Sequence, residues 1–201
     1  MNKTSLLFLL LIPAIFVHGQ GKINLMNGKI IAFDTISKGN MEKFNYVSHD
    51  TKKVSAIKVS RIFSINYNDG KEELFFVADS TVSDFSVPQM REFVKGEQDC
   101  RLNYKPKAAT VGGIIVGGAA GILGIFYGPV LPAIYATIVS ASPPPDITKK
   151  PYADKILMNS DYYAYGFEMA ARKKKLKNSL LGGGIGFGIS VTAFIIFRPK
   201  H

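Results

Sequence analysis

The sequence predicts an α+β membrane protein: a small SH3-like or Sm-like antiparallel β barrel, a connecting helix, and two transmembrane helical segments, the first kinked or followed by a re-entrant piece. Three observations predict it. Five or six short strand patterns, separated by turn formers, crowd the stretch from Ile23 to Val77. Apolar residues make up 47% of the 201, and they are gathered into blocks rather than alternated throughout. No charged residue occurs over the 38 positions from 108 to 145, far more than a buried helix of a soluble domain needs.

Residues 1–19 read as a secretory signal peptide. Lys3 supplies the positive charge, Ser5 to Phe16 is an apolar stretch broken by Pro13, and Val17-His18-Gly19 places compact residues where a signal peptidase reads. The stretch is short for about 30 Å of hydrocarbon, and cleavage after Gly19 or after Gln20 fits equally. The single cysteine, Cys100, then meets an oxidising compartment with no second thiol to form a disulfide and no histidine near it in sequence, which makes it a spectator.

Residues 20–80 carry the barrel. Ile23-Asn24-Leu25-Met26 and Lys29-Ile30-Ile31-Ala32-Phe33 flank Asn27-Gly28, the preferred pair for a hairpin whose two turn residues need positive φ. Strand patterns at 43–47, 53–59, 62–67 and 73–77 follow, separated by Gly39-Asn40, His49-Asp50 and Asn68-Asp69-Gly70. So many short strands in one small domain favour a single bent sheet closed on itself, with Leu25, Ile31, Phe33, Phe44, Tyr46, Ile57, Val59, Ile62, Ile65 and Phe75 inside. Residues 81–107 are a linker and an amphipathic helix that begins near Val87 and sets Met90, Phe93, Val94 and Glu97 on one side. Between Lys22 and Lys107 there are 14 basic and 11 acidic residues without a run, which argues against a nucleic-acid surface.

Four features together resemble a family of exported, uncharacterised, membrane-associated proteins of Bacteroidota-type bacteria. They are Asn27-Gly28-Lys29-Ile30-Ile31, Ile62-Phe63-Ser64-Ile65-Asn66-Tyr67-Asn68-Asp69-Gly70, Gly96-Glu97-Gln98-Asp99-Cys100-Arg101-Leu102-Asn103-Tyr104, and the pair Pro143-Pro144-Pro145 with Asp161-Tyr162-Tyr163. The resemblance spans most of the mature chain and implies a small β domain, a glycine- and proline-rich hydrophobic stretch, and a final helix with an anchor. It implies no activity, and Cys100 stands where relatives look to carry a small residue.

Residues 108–142 are the first hydrophobic segment. Gly113, Gly117 and Gly121 are four apart and Gly124 and Gly128 repeat the interval, so one helix face is nearly bare, as in a glycine zipper. Pro129 and Pro132 split the segment into one kinked helix, or a span followed by a re-entrant or interfacial piece. Residues 143–178 form a basic loop and amphipathic helix in which Arg172, Lys173, Lys174, Lys175 and Lys177 make a membrane-surface cluster; by the positive-inside rule this stretch is cytoplasmic. The alternative is that this helix simply continues into the last span. Residues 179–197 form that second transmembrane helix, and 198–201 a basic tail. Gly182, Gly184, Gly186 and Gly188 fit no nucleotide fingerprint and read as a second smooth packing face.

No catalytic, cofactor-binding or metal set is visible. His49 beside Asp50 is a turn, the pairs Glu72-Glu73 and Glu97 with Asp99 are surface charge, and one thiol with one internal histidine does not make a zinc site. The expectation is a structural or interaction protein, not an enzyme, anchored in the bacterial cell membrane with its β domain extracytoplasmic (periplasmic). Its partners are the lipid bilayer and, through the glycine faces, a second copy or another membrane protein. A component of a small transport or channel assembly is the alternative, weakened by the scarcity of polar residues in the spans.

Overall fold

The computed structural model describes residues 20–40, 42–78, 84–124, 128–143, 157 and 159–196. The expected signal peptide and basic tail lie outside these, as do residues 144–156 of the expected loop. Two compact units divide the chain, Met1–Asp79 and Ser80–His201.

In the first unit, β1 (Gly21–Leu25), β2 (Ile30–Lys38), β3 (Lys43–Ser48), β4 (Val54–Lys58), β5 (Ile62–Tyr67) and β6 (Glu72–Leu74) form one sheet in the order β4-β3-β2-β1-β5-β6, every pair antiparallel. The sheet is open, which corrects the expected barrel. The outer edge of β5 is taken by β6, with Ser64, Ile65 and Asn66 opposite Leu74, Glu73 and Glu72. β4 and β6 are thus the two edge strands, and no pairing between them closes the sheet.

Two turns of the same construction set the hairpins. At Leu25–Lys29, the Leu25 N–H donates to the Lys29 carbonyl at 2.9 Å, the Gly28 N–H donates to the Leu25 carbonyl at 2.9 Å, and Gly28 has φ 69°. At Tyr67–Lys71 the corresponding bonds are 2.9 and 3.0 Å, and Gly70 has φ 89°. Each is a three-residue loop with a left-handed glycine, rather than the two-residue turn expected at Asn27-Gly28. The Asn27 and Asp69 side chains brace the loops by accepting the N–H two residues on, at 3.1 and 2.9 Å.

Two bulges fix which side chains enter the core. The β2–β3 register shifts between Phe33 and Thr35, and the β1–β5 register shifts where Leu25 meets Ile62. An extra residue in each, Asp34 and Phe63, lets side chains three apart share a face, so Phe33 with Ile36 and Ile62 with Ile65 are all buried. Ile23, Leu25, Ile57 and Tyr67 complete this core, and Ile31, Phe44, Tyr46 and Phe75 pack around it. Most of the expected interior is there; Val59 lies instead in a 3-10 turn, Val59–Arg61, and is only half-buried.

The second unit is helical: α1 (Val87–Asn103), α2 (Lys107–Ala120), α3 (Val130–Ala141) and α4 (Asp161–Ile196). α1 starts at a capping box, with the Ser86 N–H donating to Gln89 Oε1 at 2.8 Å, and buries Met90 and Val94 as its pattern predicts; Glu97 and Asp99 are buried with them, which corrects their reading as surface charge. Pro106 separates α1 from α2, and the two axes bend by 62°.

The expectation of two transmembrane helices also needs correction, because among the described residues only α4 is a single helix long and apolar enough to cross a bilayer. At 1.5 Å per residue, the 14-residue α2 and 12-residue α3 are each about 20 Å long, short of about 30 Å of hydrocarbon. The break follows from local chemistry: a 3-10 turn at Gly121–Leu123, Gly124 at φ 77°, then Pro129. Helix α4 runs unbroken for 36 residues, so the amphipathic helix expected from Asp161 and the span expected at 179–197 are one element.

Candidate functional site

The apolar end of the helical unit is held together by glycine. On α2, a Cβ at Gly113 would strike the Ser179 carbonyl, at Gly117 the Gly183 carbonyl, and at Gly121 the Ser190 side chain. On α4, a Cβ at Gly182 would strike the Thr110 carbonyl, at Gly186 the Ile114 carbonyl, and at Gly183 the Pro132 ring of α3. Backbone thus lies on backbone, which only glycine permits. Gly128 sits under the Phe187 ring and Gly112 under Tyr135. Of the glycines singled out in sequence, Gly113, Gly117, Gly121, Gly128, Gly182 and Gly186 are in contact. Gly124, Gly184 and Gly188 face open space, the last two along an outward groove with Ile185, Ile189 and Thr192. Gly183 was hidden within a triplet of glycines. Gly96 and Gly166, where α1 crosses α4 against Tyr163 and Phe93, lack a four-residue partner that would have flagged them.

The outer surface of the same end is aliphatic. Ile115, Ile122, Ile138, Leu181, Ile189, Phe194 and Ile196 are all more than half exposed, and Ile122 reaches 83%. A soluble bundle does the reverse, burying its large side chains. Two hydroxyls here bond within their own helices: Thr137 Oγ1 donates to the Ala133 carbonyl at 2.9 Å and Thr192 Oγ1 to the Gly188 carbonyl at 2.8 Å, whereas the buried Ser179 Oγ has no partner among the described residues.

The polar end joins α1 to the first half of α4. Tyr163 Oη donates to Asp99 Oδ2 at 2.9 Å in a buried setting, and Lys95 Nζ reaches Asp99 Oδ1 at 2.9 Å. Lys173 Nζ pairs with the fully buried Glu97 at 3.1 Å, whose Oε2 has no hydrogen-bond partner among the described residues. Phe85, Phe93, Tyr162 and Tyr165 form an aromatic cluster at the start of both helices.

Of the expected membrane-surface cations, Arg172, Lys173 and Lys177 are exposed, while Lys174 and Lys175 turn into the fold. Arg172 pairs with Glu168 one turn back. Lys174 Nζ donates to the carbonyls of Cys100, Arg101 and Tyr104 at 3.1, 2.6 and 2.7 Å, capping the C-terminus of α1. Lys175 Nζ donates to the Ser142 and Pro143 carbonyls at 2.7 and 2.9 Å and to Ser142 Oγ at 3.0 Å, capping α3. A cation at a helix C-terminus meets the negative end of its dipole. Burial lowers the pKa of both lysines below the ordinary 10.5. Lys177 is exposed and has no such partner among the described residues.

Among the described residues, Cys100 and His49 lie in separate surroundings. Cys100 is fully buried against Phe167, Ala170 and Ala171, and burial pushes its thiol from 9.0 up to about 12, the opposite of an activated nucleophile. His49 turns away from the pairing with Asp50 considered from sequence. Its Nδ1 lies 2.6 Å from Asp34 Oδ1, while Lys52 Nζ donates to Asp34 Oδ2 at 2.8 Å. Those hydrogen bonds, the one from Lys52 foremost, lower the Asp34 pKa, and the trio braces an exposed turn in which Lys52 holds φ 54°. Among the described residues no group of three or more His, Cys, Asp or Glu is placed to hold a metal. The chain matches no protein-family model, no curated protein and no solved structure.

Proposed function

We propose that the protein is a membrane-anchored structural or interaction protein, with α2, α3 and the second half of α4 embedded in lipid and the six-stranded sheet displayed in the extracytoplasmic space. One observation carries the reading: a helix bundle with glycine backbone inside, aliphatic side chains outside, and no charged residue from 108 to 145. Without a hydrophobic force between helices in lipid, close backbone packing is the means of association, and the glycine contacts supply it. Display of the sheet rests on the export signal read in residues 1–19. The intrahelical bonds of Thr137 and Thr192, and the tight contact of α2 with α4, favour an anchor over a transport path.

Alkaline extraction of cell membranes tests the reading. The full chain is expected to stay in the pellet at high pH and to come out only with detergent. Recovery as a monodisperse soluble species without detergent would sink it.

A further inference from the structure

The glycine contacts also carry a direction. Reading along α2, Gly113 meets Ser179, Gly117 meets Gly183 and Gly121 meets Ser190, so α2 and α4 run parallel. α3 runs back: Gly128 lies at Phe187, Pro132 at Gly183, and the Ser142 and Pro143 carbonyls at Lys175. The start of α2, the end of α3 and the middle of α4 therefore share one level, marked by the carbonyl caps of Lys174 and Lys175.

On this side of that level lie α1 and the first half of α4, bound to each other by Tyr163 with Asp99, Lys173 with Glu97, and Lys174 with the α1 carbonyls. Two helices joined by such contacts occupy the same compartment. Resting on the anchoring reading above, we propose that α2 and α3 form a re-entrant hairpin that enters and leaves the bilayer on one face, with α4 alone crossing it. The stretch from Asp161 to Lys175 then lies on the side of α1 rather than across the membrane from it, as the charge pattern alone predicts.

Lengths agree with this arrangement. From Lys175 to Ile196 α4 rises about 31 Å, enough for the hydrocarbon, whereas the deepest hairpin contact among the described residues, Gly121 at Ser190, lies about 22 Å from Lys175. The charge pattern misleads because four of the five cations it counts are answered by the protein's own groups, Arg172 by Glu168, Lys173 by Glu97, and Lys174 and Lys175 by carbonyl oxygens.

Cysteine accessibility in the full chain tests the hairpin. In a Cys100→Ala background, Asp84→Cys, Asn159→Cys and Arg198→Cys are each exposed to a membrane-impermeant maleimide before and after the membrane is opened, in material first shown to resist alkaline extraction. Asp84 and Asn159 are both solvent-exposed and precede α1 and α4, so the substitutions spare the packing. The expected result is equal labelling at 84 and 159 under both conditions and the opposite pattern at 198. Labelling at 84 and 159 from opposite sides, in a protein that stays in the membrane, would overturn the hairpin and leave the anchor standing. Labelling at 198 from the same side as 84 would overturn the crossing by α4. A chain that alkali extracts would remove the anchor and the hairpin together.

Discussion

Gly117 and its neighbour Gly118 offer a matched pair for weighing the α2–α4 contact. Both lie in α2, and replacing either with alanine raises helix propensity by about 0.8–1 kcal/mol. At Gly118 a methyl group meets nothing within 4 Å, so that gain is unopposed. At Gly117 the methyl collides with the Gly183 carbonyl, a rigid backbone group that cannot rotate away. Restoring a van der Waals contact requires the helices to part by roughly 1 Å, which forfeits about a quarter to half of each dispersion contact along the seam. Overpacking of this kind costs about 1–3 kcal/mol, enough to cancel the propensity gain or reverse it by about 2 kcal/mol. The assay is unfolding of the purified protein in mild detergent by added SDS, followed by circular dichroism. Gly118→Ala should move the midpoint to higher SDS and Gly117→Ala should leave it unchanged or lower it. Equal shifts for the two variants, or a larger loss at Gly118, would refute the claim that α2 and α4 touch through Gly117.

Two further outcomes follow from the polar end. Lys175→Met removes the donor to the Ser142 and Pro143 carbonyls and should cost about 1.5–3 kcal/mol in the same SDS titration, whereas Lys177→Met, at an exposed position, should leave the midpoint in place. Cys100 adds a pH dependence: an unfolded thiol releases its proton near 9.0 and the folded one holds it to about 12, so the folded state binds more protons in between. Its contribution is complete below pH 9 and is lost as the pH rises towards 12. Lys174 and Lys175, with lowered values, tilt the other way near 10.5, so the measurement is the difference between the native protein and Cys100→Ala at each pH. That difference should shift in favour of the variant above pH 9.

Much of the first unit was legible because strand signals are local. Alternation and the turn residues Asn27-Gly28 and Asn68-Asp69-Gly70 mark the hairpins, and the buried face of β1, β2, β4 and β5 follows from period two once the bulges are known. The bulges themselves are not local. That Asp34 and Phe63 are the extra residues depends on which strand each faces, as does the strand order that leaves β4 and β6 as separate edges. In the second unit the spacing of Gly113, Gly117 and Gly121 marked a smooth face, but nothing in the letters tells whether two smooth faces run parallel or antiparallel. The lysines were harder still. In sequence, Lys173, Lys174 and Lys175 are three equal positive charges, and only the 100° rotation from each residue to the next sends them to a carboxylate, to the end of α1 and to the end of α3.

The contact of Gly117 with Gly183 also has a consequence in time. The two glycines are separated by about 65 residues of chain, and at about 5–20 residues per second the ribosome makes the second roughly 3–13 seconds after the first. For that interval α2 and α3 have no α4 to lie against, and the exposed carbonyls at the end of α3 have no Lys175. The least polar segment of the protein is therefore held only by surroundings outside the chain until its last helix is made. Truncation before Gly182 would leave α2 and α3 without the helix that fastens them, however complete their own sequences.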